Sequence, residues 1–117
     1  MAENKREKGA LYEELAAEYL RRHGFTVSER NFRSRSGEID IIAEKDGVIV
    51  YCEVKFRSGR GFGAPEEAVD FRKQQRIIRT AMYHRYIKGY SENKPCRFDV
   101  IAICGDEIRH IENAFEA

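Results

Sequence analysis

Three things are scarce in this chain: long apolar runs, paired cysteines and an excess of either charge. No stretch approaches the roughly 18 or more consecutive apolar residues of a membrane-crossing helix, and the longest apolar run, Gly47 to Cys52, has strand length. The expectation is a protein without a membrane span. The first residues, Met1 to Lys8, are polar and of mixed charge, and the apolar residues after them are interrupted by Glu13, Glu14 and Glu18. That pattern lacks the hydrophobic region of a secretory signal, so the chain is expected in the cytoplasm. Cys52, Cys96 and Cys104 form no Cys-x-x-Cys pair; Cys52 and Cys104 lie inside apolar strand-like runs, so the three read as structural thiols rather than a zinc site or disulfide. Twenty-one basic against twenty acidic residues leave a formal charge of +1, which as a total argues for no partner of either sign.

What is present is enough for one core and not for two: 117 residues, of which 42% are hydrophobic and 35% charged. A flexible arm is expected over residues 1–8 and a single domain over 9–117. From Gly9 to His23 the residues Leu11, Leu15, Tyr19 and Leu20, with Ala16 and Ala17, recur at helical spacing, and Gly24 follows as a stop. Phe25 to Arg33 suits an edge strand. Glu38 to Glu44 and Val48 to Arg57 are strands flanking Lys45-Asp46-Gly47, whose Asp-Gly pair signals a hairpin. Ser58 to Ala64 is a glycine-rich loop, and Pro65 suits the first turn of a second helix reaching Lys88, with Ala68, Val69, Phe71, Ile77, Ile78, Ala81 and Met82 on its apolar side. Cys96 to Cys104 is a strand, and Glu107 to Ile111 a short last one. The order αβββαβ(β) predicts an α/β domain: a mixed β-sheet flanked by helices, either one on each side or both packed across it.

Residues two apart on a strand face the same way. Glu53 and Lys55 therefore share one side of their strand, with Cys52, Val54 and Phe56 on the other. On the preceding strand Glu38 and Asp40 share a face, with Ile39 and Ile41 opposite, and the hairpin brings Asp40 toward Glu53. Acids on the inner side of apolar strands carry a desolvation cost that a cation offsets. An all-oxygen set suits a hard ion, Mg²⁺ or Mn²⁺, which takes one or two carboxylates, waters and a substrate phosphate. Phosphodiester hydrolysis uses those parts, with a lysine to orient water or stabilise developing charge. Asp40, Glu53 and Lys55 match those roles.

Asp40 followed, after a hairpin, by Glu53-Val54-Lys55 resembles the PD-(D/E)XK signature of restriction-endonuclease-like nucleases, with Ile39 in place of the proline. Further blocks sharpen the likeness: Glu13-x-x-Ala16 through Tyr19-Leu20, Asn31-Phe32-Arg33, Gly37-Glu38-Ile39-Asp40, Glu53 to Arg57, Arg97 to Val100 and Asn113-Ala114-Phe115. Together, from about Gly9 to the C-terminus, they are similar to the YraN-like family of small bacterial proteins, related in fold to Holliday-junction resolvases. The resemblance implies a restriction-endonuclease-like fold and a divalent-metal-dependent endonuclease of structured or branched DNA. It also implies a homodimer, since two strands need two sites. It adds Glu13 to the catalytic and metal set of Asp40 and Glu53, and Glu38 as a further metal ligand. At about 100° per residue, Glu13 lies beside Leu20 and Ala17 at the border of the apolar face, whereas Glu14 and Glu18 point to solvent. Gln74, or its neighbour Gln75, falls where some relatives place a polar helper, and Gln74 and Lys73 are the candidates to support the acids without binding the metal.

Each feature has a plainer reading. A strand Glu-x-Lys alone is commonly a solvated face, and Glu13 can belong to a charged helix surface with Arg21 or Lys8. His23, His84 and His110 lie near element ends and read as surface or capping residues. Asp99, in an apolar strand, reads as paired with a neighbouring arginine or a backbone amide. The glycine-rich loop lacks the Gly-Lys-Ser/Thr of a phosphate-binding loop, so no nucleotide cofactor is expected. Between Lys55 and Lys88 nine basic residues face three acidic ones, a local excess of six positive charges inside the near-neutral total. Arg57, Arg60, Arg72, Lys73 and Arg76 are accordingly the candidates for nucleic-acid contact. The competing functional class is a non-catalytic nucleic-acid-binding or recombination-accessory protein, with a protein-interaction module third.

Overall fold

The computed structural model describes residues 5–57 and 69–117. Its elements run α1 (Lys5–Arg22), β1 (Thr26–Ser34), β2 (Gly37–Lys45), β3 (Val48–Arg57), α2 (Phe71–Lys88), β4 (Cys96–Cys104) and β5 (Glu107–Phe115). The strands form one five-stranded sheet in the order β1-β2-β3-β4-β5. β1, β2 and β3 make an antiparallel meander; β3 and β4 are parallel, joined through α2; β5 returns antiparallel on β4. A parallel neighbour needs a long crossover, and the segment containing α2 supplies it. The expected mixed sheet is thus present, with one helix on each face.

Two cores, one per face, make the three central strands apolar on both sides. Against α1 pack Ala16, Ala17, Leu20, Ile41, Val50, Ile101 and Ile103. Against α2 pack Ile39, Tyr51, Ile77, Ala81, Phe98 and Phe115. Burying an aliphatic or aromatic side chain of this kind is worth about 1.5–3 kcal/mol, so the two layers carry the fold. The turn at Asp46-Gly47 has positive φ at both residues, 53° and 78°, the backbone of a type I′ hairpin, and it sets the β2–β3 register.

Several expectations are corrected. α1 starts at Lys5 rather than Gly9. Leu11 is exposed because nine residues place it half a turn round the helix from Leu20. α2 starts at Phe71: Asp70 is its N-cap, accepting the Lys73 N–H at 2.8 Å, so Val69 packs in the core ahead of the helix rather than within it. Phe71 and Met82 are exposed, on the side of α2 away from Ile77 and Ala81, while Thr80 and His84 complete the buried face. β5 runs on to Phe115, well past Ile111. The glycine-rich loop, Pro65, Ala68 and Arg60 lie outside the described residues. The three cysteines are free, and Cys52 is buried.

Candidate active site

The site begins where two strands part. β2 and β3 pair from Lys45↔Val48 to Ile41↔Cys52, and the ladder stops there. At the next position the Asp40 side chain replaces the missing backbone partner, its Oδ2 accepting the Val54 N–H at 2.8 Å. The alternation of β2 breaks at this point: Ile39 packs in the α2-side core and Ile41 in the α1-side core, so the two are not on one face as simple period-two spacing predicts. Asn31, between the β1 residues that pair with Ile39 and Ile41, has a left-handed backbone, φ 55°, which bends β1 at the same level.

Phe56 stacks on Tyr12 of α1 with ring centroids 4.5 Å apart, which turns Glu53 and Lys55 toward the α2 side. Glu53, only 5% exposed, lines the same cleft as Asp40, close enough for its charge to act on the Asp40 carboxyl. Burial, and then the charge of Glu53, push the Asp40 carboxyl up to about 8, against the pull of the Val54 N–H. Lys73 Nζ from α2 lies 2.5 Å from Glu53 Oε1. Burial of Lys73 opposes its charge, but the bond to Glu53 and the nearby Asp40 and Asp70 outweigh it and raise its pKa. A cleft of about 180 Å³ opens over these groups, walled by Gly37, Glu38, Asp40 and Glu53 of the sheet and by Lys73, Arg76 and Ile77 of α2.

Glu13 and Glu38 flank the pair and are bridged to each other. With its amide oriented to donate to both, Asn31 Nδ2 lies 2.8 Å from Glu13 Oε1 and 3.0 Å from Glu38 Oε1. Burial, offset by Arg30 and reinforced by Glu38 and Glu53, raises the Glu13 pKa. Glu14, by contrast, pairs with Arg30 and Arg21 on the outer side rather than pointing freely to solvent. The structure therefore brings Asp40 to Glu53 and Glu13 to Glu38, with electrostatic coupling between the two pairs. Among the described residues no three carboxylate, histidine or cysteine side chains yet close into a metal-holding group. The donor chemistry still suits a hard cation: every donor is a carboxylate oxygen, and one pair shares charge it cannot disperse.

Other candidates fall elsewhere. Lys55 is half-buried on the same side of β3, forms no ion pair among the described residues, and stops short of the cleft wall. Gln74 donates to the Val69 carbonyl at 3.0 Å, bracing the start of α2 rather than facing the acids. Arg57 and Arg72 are exposed, while Arg76 joins Lys73 on the cleft. His84 and His110 are not surface or capping residues. His84 is buried between Glu29, 2.7 Å, and the Tyr51 hydroxyl, 3.0 Å. His110 lies between Asp99, 2.6 Å, and the Tyr19 hydroxyl, 3.3 Å. Asp99, fully buried, also accepts from Arg97 and the Asn113 N–H, the partners its sequence context predicts. Asn31 is the site residue not named as a candidate from sequence, although it opens the Asn31-Phe32-Arg33 block; its physical signal is an asparagine inside a strand, a residue type tolerant of left-handed backbone.

Fold and site together define a small α/β protein with a carboxylate cleft opened at the divergence of two central strands. The chain belongs to the Uncharacterised protein family UPF0102, whose pattern matches residues 12–103, the family to which the motif blocks pointed. It is 46% identical over 114 residues to a UPF0102 protein of Lachnoclostridium phytofermentans, covering 97% of each chain. It is 50% identical over 112 residues to one of Persephonella marina, 93% of each. With a UPF0102 protein of Photobacterium profundum it shares 46% over 105 residues, 89% of this chain and 84% of that one.

Proposed function

We propose that this protein is a divalent-metal-dependent nuclease that hydrolyses phosphodiester bonds in structured or branched DNA. The observation that carries the reading is the Asp40–Glu53 pair: two electrostatically coupled carboxylates at a strand divergence, lining a cleft whose α2 wall carries Lys73 and Arg76. Such a pair is costly without a purpose, since like charges in a partly buried site raise the energy of the folded chain.

Asp40 and Glu53 would hold Mg²⁺ or Mn²⁺, with Glu13 and Glu38 as the flanking acids that Asn31 keeps at hand. The bound ion supplies polarisation of a phosphoryl oxygen and a lowered pKa for water. Lys73 and Arg76 meet the incoming phosphate from the α2 side, and Lys73 can exchange Glu53 for a phosphate oxygen as the acid turns to the cation. Lys55, next but one to Glu53 on the same side of β3, supports charge on the pentavalent phosphorus or positions the attacking water. Branched substrates and a homodimer presenting two sites come with the resolvase-like reading.

The test incubates the full chain with fluorescent four-way, flap and linear DNA in Mg²⁺, Mn²⁺ or EDTA, beside Asp40→Asn and Lys55→Ala. Metal-dependent cutting, lost in both variants, supports the enzyme. Salt-sensitive binding without cutting supports the recombination-accessory reading instead, which the Lys73–Glu53 ion pair favours because it already neutralises one ligand. No binding at low salt removes both.

A further inference from the structure

A second, wider cavity of about 350 Å³ lies beside the acidic cleft, lined by Arg33, Ser34, Arg35, Ser36 and Tyr83. It is built rather than incidental. The turn linking β1 to β2 is pinned to α2 by the Ser34 hydroxyl, which donates to Thr80 Oγ1 at 3.4 Å, and is closed on itself by the Ser36 N–H, which donates to Ser34 Oγ at 3.1 Å. Gly37, the next residue, has φ 152°, and a Cβ there would stand 3.5 Å from both Arg76 Cβ and Thr80 Oγ1, so the turn sits close against the helix. The volume lies at the low end of the ~300–1,000 Å³ of small-ligand sites, enough for one sugar, phosphate and base.

Its lining is one-sided in charge. Among the described residues no carboxylate contributes to the wall. Arg35 forms no ion pair among the described residues, and Arg33 is held only by Glu38 at 3.4 Å with most of its side chain in solvent. Tyr83 offers a ring 48% exposed, backed by Phe32 at 6.2 Å between centroids. On α2 the residues Arg72, Arg76, Arg79, Tyr83 and Tyr86 recur at helical spacing, forming an exposed stripe that is cationic at one end and aromatic at the other. Arginine beside an accessible aromatic ring is the chemistry that binds a nucleic-acid strand through its phosphates and an unstacked base. Gly37 of the acidic cleft directly follows Ser36 of this cavity in the chain, and α2 contributes to both walls, so a strand with one phosphate over Asp40 and Glu53 would carry a neighbouring nucleotide into this cavity.

We propose that the cavity between the β1–β2 turn and α2 holds an unpaired nucleotide next to the bond that is cut, its phosphate on Arg33 and Arg35 and its base on Tyr83. The inference rests on the nuclease reading and names what that site selects. A base within a duplex is stacked on both faces, so only an unpaired or extruded base can lie on the Tyr83 ring. The preference for flaps and junctions over continuous duplex then comes from this cavity.

The test measures fluorescence anisotropy of the full chain with labelled blunt duplex and with the same duplex bearing a single-stranded flap, in EDTA and in Ca²⁺. The variants are Tyr83→Ala, Tyr83→Phe and Arg35→Ala, with melting curves as the folding control. Tyr83→Ala is expected to weaken flap binding about tenfold and duplex binding less than about twofold, while Tyr83→Phe keeps both. Arg35→Ala lowers the dependence of log K on log salt by about one. An unpaired 5-iodouracil, irradiated in the complex, is expected to crosslink to Tyr83. Equal loss on both DNAs, or no loss on either, overturns the cavity assignment while metal-dependent cutting by the wild type leaves the nuclease reading standing. Persistent flap preference through Tyr83 without cutting in any metal sustains the cavity and removes the nuclease. Absence of wild-type binding to either DNA removes both.

Discussion

Asp40 and Glu53 hold two acids in a geometry where both cannot be ionised cheaply, and Asp40 also supplies the acceptor for a main-chain N–H. Asp40→Asn keeps that acceptor and removes one acid. In EDTA at slightly alkaline pH the variant is expected to melt about 4 °C above the wild type, corresponding to roughly 1 kcal/mol, while losing nuclease activity. Addition of Mn²⁺ should raise the wild-type Tm and leave the variant unmoved; equal shifts in the two, or none in the wild type, would speak against a cation at this pair. Asp99 presents the opposite balance. Burial works against its charge, but bonds from His110, the Asn113 N–H and Arg97 outweigh it and hold its pKa below the usual carboxylate range. The unfolded chain therefore takes up this proton first as pH falls. The stabilisation is complete above about pH 4, the unfolded value, and is lost as pH drops through the folded one. Asp99→Ala removes the carboxylate that Arg97 and His110 share and is expected to cost about 3 kcal/mol at neutral pH and to flatten the acid limb of a stability–pH curve. An acid limb as steep as that of the wild type would count against this account.

At the scale of elements, α2 connects the fold to the site. Its first turn is capped by Asp70, and the residue whose N–H is capped, Lys73, is the one whose ammonium meets Glu53. Asp70→Ala is expected to lose about 1 kcal/mol in urea unfolding, with Asp70→Ser restoring most of it. Loss of nuclease activity beyond what that instability explains would follow from a loosened Lys73, and Asp70→Ser should recover it as well. The strands were legible because their signal is local. Short apolar runs bounded by turn residues mark β3 and β4 to the residue, and the Asp46-Gly47 turn sets the pairing that carries Asp40 toward Glu53. The start of α2 was not: Pro65 advertises a first turn, whereas the capping carboxylate of Asp70 decides where the helix begins. The end of β5 carries no apolar signal in Glu112, Asn113 and Ala114, which are all exposed; the Asn113 N–H on buried Asp99 and Phe115, stacking on Phe98 at 5.0 Å, tie it to the core.

At the scale of the molecule, the two cores share one sheet. Residues on opposite faces of β3, such as Val50 and Tyr51, belong to different cores, so neither helix can leave without exposing a face of the same central strands. Urea unfolding is therefore expected to be a single transition, coincident by circular dichroism and by tyrosine fluorescence; separated midpoints would show that one layer melts alone. The whole molecule also explains the distribution of charge. The near-neutral total joins an acidic cleft to a basic helix stripe, and the two lie side by side because α2, which joins β3 to β4 in the chain, packs back over β2 and β1. By itself the sequence determined the four strands before the last, the order of the elements and the approach of Asp40 to Glu53, because short apolar runs and a two-residue turn act over a few positions of chain. Only the tertiary structure decided that Lys73 answers Glu53, that Asn31 links Glu13 to Glu38, that His84 is buried and that His110 bridges Asp99 and Tyr19. Each of those contacts joins residues far apart in the chain, and depends on how a helix is rotated and seated on a twisted sheet, a choice made by the packing of both cores at once.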